Sequence, residues 1–296
     1  MTLSFVVDLK HRKTKALFFI LEKTMSRKRL TQLFPFLLPL RLWQRKKCFY
    51  LKMKLDKTRR SENIFPDVLP YRIYEYSCGT INRKSGFDIR YQYNKVHNLK
   101  LAAGKINHIL IKPGETFSFW WAARDADKKI PYKDGLDLTD GKIRGAYGGG
   151  LCQLSNLLFW LFLHTPLEIT ERHPHTIEAF PSASDELPSG TDATIHEGWL
   201  DLQAYNGTDS TFQILIEFDD DRDSIKGCIL SNSEPVYEYD IFNNEKHYRK
   251  KEGKTFLDCT VDCVKTNRKS GEKKIYNLYR NLCEITYPLP DNIKFS

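Results

Sequence analysis

The sequence predicts an α+β fold, a mostly antiparallel sheet with a buried central helix that starts near Cys152. Three observations carry that reading. Leu151 to Leu163 is almost wholly apolar, and a helix that is apolar on every face belongs in a core. Short alternating, aromatic-rich segments precede and follow it, as strands do. The tail from Val236 to Pro290 alternates more weakly and reads as hairpins that extend the sheet.

Taken in order, residues 1–24 read as dispensable, with Met25 as an alternative start. Residues 42–57 read as a basic helix, broken by Pro66 and Pro70. From Tyr71 the pattern becomes that of a folded domain. Arg72 to Tyr76 and Asp88 to Tyr93 alternate like strands joined by a turn at Asn82 to Gly86. Val96 to Ile111 repeats apolar residues at helical spacing until Pro113-Gly114 ends it. Glu115 to Trp121 reads as a short strand, and Asp125 to Arg144 as an exposed charged loop. After the buried helix, which Pro166 stops, strands are expected at Leu167 to Arg172, Ala193 to Tyr205, Thr211 to Phe218 and Ile225 to Ser231. The chain thus divides into a basic arm (1–60), a domain (71–235) and a β-rich extension (236–296) packed on it.

Composition bounds the function. Of 296 residues, 41% are hydrophobic and 28% charged, which excludes collagenous, low-complexity and broadly disordered chains. Residues 1–60 hold 17 Lys or Arg against 3 acidic residues, so the rest of the chain is slightly acidic. Residues 27–60 suit an anionic membrane surface, although a solvated basic leader fits equally, and no nucleic-acid partner is expected. Seven cysteines, with no pair of C-x-x-C spacings, argue against a zinc ribbon and for free thiols in a reducing compartment. Leu33 to Leu40 is too short to span a bilayer and lacks a following cleavage site. The expected location is therefore cytoplasmic, or peripheral at the inner face of the membrane.

The chemistry concentrates at Gly148-Gly149-Gly150-Leu151-Cys152. Unpaired N–H groups and the helix dipole stabilise an anion at a helix start, and the thiolate is the nucleophilic form of cysteine. Glycines let a substrate approach closely. His173 and His175 follow near a strand end, and Asp192 lies before the next strand. Cysteine, histidine and acid in that order suit a cysteine acyl-transferase-like arrangement, with Cys152 as nucleophile, His175 as base and Asp192 orienting it. Backbone groups at Gly149, Gly150 and Gln153 are candidates for holding the oxyanion. Each residue also has a plainer reading: Cys152 as a small buried apolar side chain, His175 as a structural imidazole, Asp192 as a turn residue. His164, His173 and His175 do not have convincing metal-ligand spacing, and neither metal nor cofactor is expected.

PGETFSFW (Pro113 to Trp120), PYKDGL (Pro131 to Leu136), GGGLCQLSNLLFW (Gly148 to Trp160), ERHPH (Glu171 to His175) and GTDAT (Gly190 to Thr194) resemble the VanW family in order and spacing. The resemblance covers about Met25 to Glu234. It implies an association with glycopeptide (vancomycin) resistance and cell-wall peptidoglycan metabolism. Some domains of this family act as L,D-transpeptidases through a cysteine. Carried over, that nucleophile falls on Cys152, the motif histidine on His175 and the aspartate on Asp192. Those enzymes are exported, whereas this chain has no evident export signal, so a peptidoglycan precursor is the expected substrate. The alternative is a non-catalytic accessory module that binds a precursor or a resistance partner at the inner membrane surface.

Overall fold

The computed structural model describes residues 34–139, 142–178, 187–289, 293 and 295. Residues 1–24 and the adjoining basic stretch to residue 33, read above as part of the arm, lie outside the described residues. The chain divides into one unit ending at Phe49 and another from Tyr50 onward. Helix α1 (Leu38–Leu55) runs through the division and starts earlier than the expected residue 42. Its Leu38, Leu40, Leu42, Trp43, Leu51 and Leu55 side chains are exposed.

The second unit is α+β with mostly antiparallel sheets. Strand β1 (Tyr71–Gly79) is followed by α2 (Arg90–Ile106), β2 (Leu110–Ile111), β3 (Thr116–Ser118) and α3 (Phe119–Ala123). Strands β4 (Asp134–Thr139) and β5 (Lys142–Tyr147) form a hairpin that leads into α4 (Cys152–Leu163). Then come β6 (Glu168–Glu171), β7 (Ile177–Glu178), β8 (Gln203–Tyr205), β9 (Phe212–Asp219) and β10 (Ser224–Ser231). The tail forms β11 (Tyr237–Phe242), β12 (Lys246–Lys251), β13 (Lys254–Asn267) and β14 (Lys273–Ile285). One sheet has the order β1-β10-β9-β2 and a second β3-β8-β6. A third, β11-β13-β14-β7 with β12 on β13, ties the tail to the segment after β6, since β14 pairs β7 in parallel.

Helix α4 is the centre of the core. Leu154, Leu158, Phe159, Leu161 and Phe162 are fully buried, each stabilising the fold by roughly 1.5–3 kcal/mol through its removal from water. It seats on β10 because residue 227 is glycine: a Cβ there would stand 2.6 Å from Leu161 Cδ1. At its far end the His164 ring stacks on Tyr74, centroids 3.7 Å apart, and its Nδ1 bonds Trp160 O at 2.8 Å. Burial lowers the His164 pKa to about 4, so this imidazole is neutral.

Several elements differ from the expectation. Asp88 to Tyr93 is not a strand. Asp88 Oδ1 accepts the Arg90 N–H at 2.9 Å and turns the chain into α2, where Gln92, Leu99, Ala102, Ala103 and Ile106 form the buried face. The alternation of Tyr91 and Tyr93 disguised that helical spacing. Residues after Phe119 turn from strand to helix because Ser118 caps α3, its Oγ accepting the Trp121 N–H. The charged stretch from Asp134 onward is the β4–β5 hairpin rather than an open loop. In Ala193 to Tyr205 only the last three residues form a strand. His196 and Leu200 exchange hydrogen bonds of 2.9 Å across a turn at Gly198, whose φ is +84°.

Candidate active site

The β4–β5 hairpin delivers the glycine run to the start of α4. Asn98 on α2 clamps it, donating to Gly149 O at 3.0 Å and Lys133 O at 2.9 Å while accepting from Lys133 N at 2.8 Å. Gly149 permits the close approach, because a Cβ there would lie 2.4 Å from the Gly135 carbonyl. Gly150 has φ of +88°, a left-handed value that redirects the chain into the helix. The thiol of Cys152, half-buried in the first turn, donates to Ile195 O at 3.7 Å.

Polar residues inside the otherwise apolar helix fix the strand-like segment opposite. Ser155 Oγ donates to Ala193 O at 2.6 Å, and Asn156 Oδ1 accepts the Ala193 N–H at 2.7 Å. The segment carrying Asp192 is thereby held against the helix carrying Cys152. Asp192 Oδ2 accepts both the backbone N–H and Nδ1 of His175, each at 2.6 Å. The Cys152 side chain stands close enough to act on the charge of the same ring. With Nδ1 committed to Asp192, Nε2 is the ring nitrogen left for the sulfur. Cys152, His175 and Asp192 therefore come together at one site, His175 hydrogen-bonded to Asp192 and within reach of the Cys152 side chain.

Burial disfavours charge on His175, but the hydrogen bond to Asp192 and the interaction with Cys152 outweigh it and raise its pKa to about 10. Burial also opposes charge on Asp192, and the His175 hydrogen bond with the Arg172 cation holds its carboxyl below the ordinary range. At neutral pH the ring is an imidazolium facing a carboxylate. The His175 shift is upward, so its contribution to stability is complete below about pH 6.5 and fades to nothing near pH 10. The Asp192 shift is downward, so its contribution holds above about pH 4 and is lost in acid. An NMR titration of the His175 ring should give a midpoint near 10. A midpoint at the free-imidazole value of about 6.5 would contradict the ion pair.

Arg172 completes the arrangement and was not singled out from the sequence. Its Nε donates to Asp192 O at 2.7 Å, and its Nη2 to Gly190 O at 2.7 Å and Asp192 Oδ1 at 3.1 Å. The guanidinium lies over the rings of Phe159 and Tyr279, 5.3 Å and 4.6 Å from their centroids. Tyr279, on β14 of the tail, also donates its hydroxyl to Gly190 O at 3.1 Å. His173 points elsewhere, its Nε2 against Glu171 Oε1 at 3.0 Å. Among the described residues no group of three or more potential metal ligands occurs.

Of the backbone groups expected near the oxyanion, Gly149 N–H is bonded to Ala146 O at 3.0 Å and Gln153 N–H to Gly150 O at 3.2 Å. The N–H groups of Gly150, Leu151 and Cys152 have no acceptor among the described residues. They sit at a helix N-terminus beside the thiol, where a developing negative charge is best stabilised. The free donors lie one residue further along than a glycine-centred reading suggests, because Gly149 closes the preceding turn.

The family model described as "VanW like protein" matches residues 94–229, a span holding Cys152, His175 and Asp192. Over 270 residues the chain is 47% identical to the "Vancomycin B-type resistance protein VanW" of Enterococcus faecalis, covering 91% of this chain and 98% of that one. It is 31% identical over 113 residues to the "Uncharacterized protein YoaR" of Bacillus subtilis, 38% of this chain and 36% of that protein. No solved structure matches the chain. Identity at that level across nearly the whole of both chains goes well beyond a shared motif: the chain belongs to the VanW family.

Proposed function

We propose that the chain is a cysteine acyltransferase, L,D-transpeptidase-like, acting on cell-wall peptidoglycan peptides in vancomycin resistance. The observation that carries this reading is His175 hydrogen-bonded to Asp192 and interacting with the Cys152 side chain. An imidazolium beside a thiol favours the nucleophilic anion. In the proposed reaction the Cys152 sulfur bonds to a peptide carbonyl carbon, and the oxygen takes the negative charge against the N–H groups of Gly150, Leu151 and Cys152. The carbonyl then re-forms, the C–N bond breaks, and the leaving amine takes its proton from His175. An amine or water attacks the thioester, giving its proton back to His175 as the sulfur departs. The resistance context comes from the enterococcal relative's name.

The test is product analysis of a peptidoglycan stem peptide incubated with an amine acceptor. Transfer or hydrolysis is expected with the wild type and none with folded Cys152→Ala. A chain that binds the peptide but never turns it over would be the accessory module instead.

The basic arm fits the same reading as a peripheral contact with anionic lipid at the inner face of the membrane. Exposed Leu38, Leu42 and Trp43 alternate with Arg41, Lys46 and Lys47 on α1, a composition suited to the interface. No helix among the described residues is long and apolar enough to cross a membrane. Sedimentation with anionic but not neutral vesicles is the expected result, and equal sedimentation with neutral vesicles, or anionic binding that persists at high salt, would count against it.

A further inference from the structure

Lys95 lies on α2 one turn before Asn98, the residue that clamps the glycine run. Its stem passes directly over Gly150: a Cβ at Gly150 would stand 2.4 Å from Lys95 Cγ and 2.7 Å from Cδ. Gly150 is thus the residue that makes room for the lysine, two positions before the nucleophile. Among the described residues no carboxylate acts on this ammonium, and the side chain that does act on it electrostatically is the Cys78 thiol of β1. Burial pulls its pKa down to about 8. Beside it, Gln153 donates Nε2 to Gly79 O at 2.7 Å, while its Oε1 is buried without a partner. A half-buried cation without a counter-ion is costly. Here its stem lies against Gly150, whose N–H is free, and its ammonium is felt by Cys78, which Gln153 also contacts, one residue after Cys152.

We propose that Lys95 is a specificity-determining residue of the Cys152 site, its ammonium taking a carboxylate that the acyl donor carries close to the scissile carbonyl. The proposal rests on the acyltransfer reading for its substrate, although not for its first test. When the thioester forms and the C–N bond breaks, the leaving group departs with its carboxylate against Lys95 and its nitrogen protonated from His175. Gln153 Oε1 is then available to accept an N–H of the donor. Lys95 takes no part in proton transfer, and its contribution is selection of an anionic over a neutral donor.

The first experiment compares alkylation of Cys152 by iodoacetate and by iodoacetamide, two reagents of similar size that differ in a carboxylate. Lys95→Met keeps the stem over Gly150 and removes the charge. The iodoacetate-to-iodoacetamide rate ratio should fall about tenfold in Lys95→Met, as expected for loss of a charge-assisted hydrogen bond. The iodoacetamide rate should be unchanged, and Lys95→Arg should restore part of the ratio. An unchanged ratio in folded Lys95→Met overturns the proposal. The second compares donor peptides ending in a free carboxylate or in an amide. The wild type should prefer the acid through KM, and Lys95→Met should lose that preference while keeping its turnover of the amide. If neither peptide is turned over but the halide ratio still depends on Lys95, the acyltransfer reading fails and the anion subsite stands. Turnover of acid and amide alike by the wild type counts against the subsite alone.

Discussion

His175→Ala should slow acylation of Cys152 by about 100-fold or more while leaving the fold intact. The ring is the only link between Cys152 and Asp192 described above, so its loss removes the proton carrier and the positive charge together. Its side chain is 31% exposed, so truncation opens no sealed cavity. Asp192→Asn should slow the reaction less, since the amide still occupies the site and only the charge and ring orientation change. The double variant should be no slower than His175→Ala, because Asp192 acts through the ring. Labelling rates by peptide mass mapping, read beside melting temperature, decide the matter. A structural histidine would reverse the pattern, with a lowered melting temperature and unaltered labelling.

Arg172→Ala should cause the largest loss of stability at the site, about 3–5 kcal/mol, the cost of removing one partner of a buried ion pair. Its guanidinium serves Asp192 Oδ1, Asp192 O and Gly190 O at once, between two aromatic rings. Without it, the Asp192 charge keeps only the His175 contacts, and a gap opens between Phe159 and Tyr279. Arg172→Lys should recover little, because a single ammonium cannot replace a planar fork spread over those acceptors. Urea unfolding should show a lower midpoint with an unchanged slope. A loss below about 1 kcal/mol, the size of an exposed pair, would mean that Asp192 is held in place by something else.

The two dependences explain what the sequence makes legible here and what it hides. Helix α4 announces itself because every face of Leu154 to Leu163 is buried, and β9 and β10 because their apolar runs end at clear turns. The β4–β5 hairpin is hidden because its residues are charged and half-exposed, so no face alternates strongly. Helix α2 is displaced in the reading because Gln92 and Asn98, polar residues, occupy its buried side. Cys152, His175 and Asp192 can be proposed from residue type and order. Arg172 cannot, since an arginine at a strand end ordinarily faces solvent. Its platform comes partly from Tyr279, in a tail that carries no recognisable motif. The signal that was present is Ser155-Asn156, two polar residues inside an apolar helix, which mark where α4 must hold a neighbouring backbone.

The cysteines set up the most direct test. Burial pushes the thiols of Cys228 and Cys259 up to about 11 and that of Cys283 to about 12, and it also raises Cys78 and Cys263. Cys48 is exposed but lies on α1, away in sequence from any acid–base partner described at the site. Treating the folded chain with a carbapenem as an acyl donor, then mapping the adduct by mass spectrometry, therefore asks which thiol the protein activates. One adduct is expected, on Cys152, absent in Cys152→Ala and formed far more slowly in His175→Ala. An adduct confined to Cys48, or no adduct when iodoacetamide reaches Cys152 readily, would contradict it.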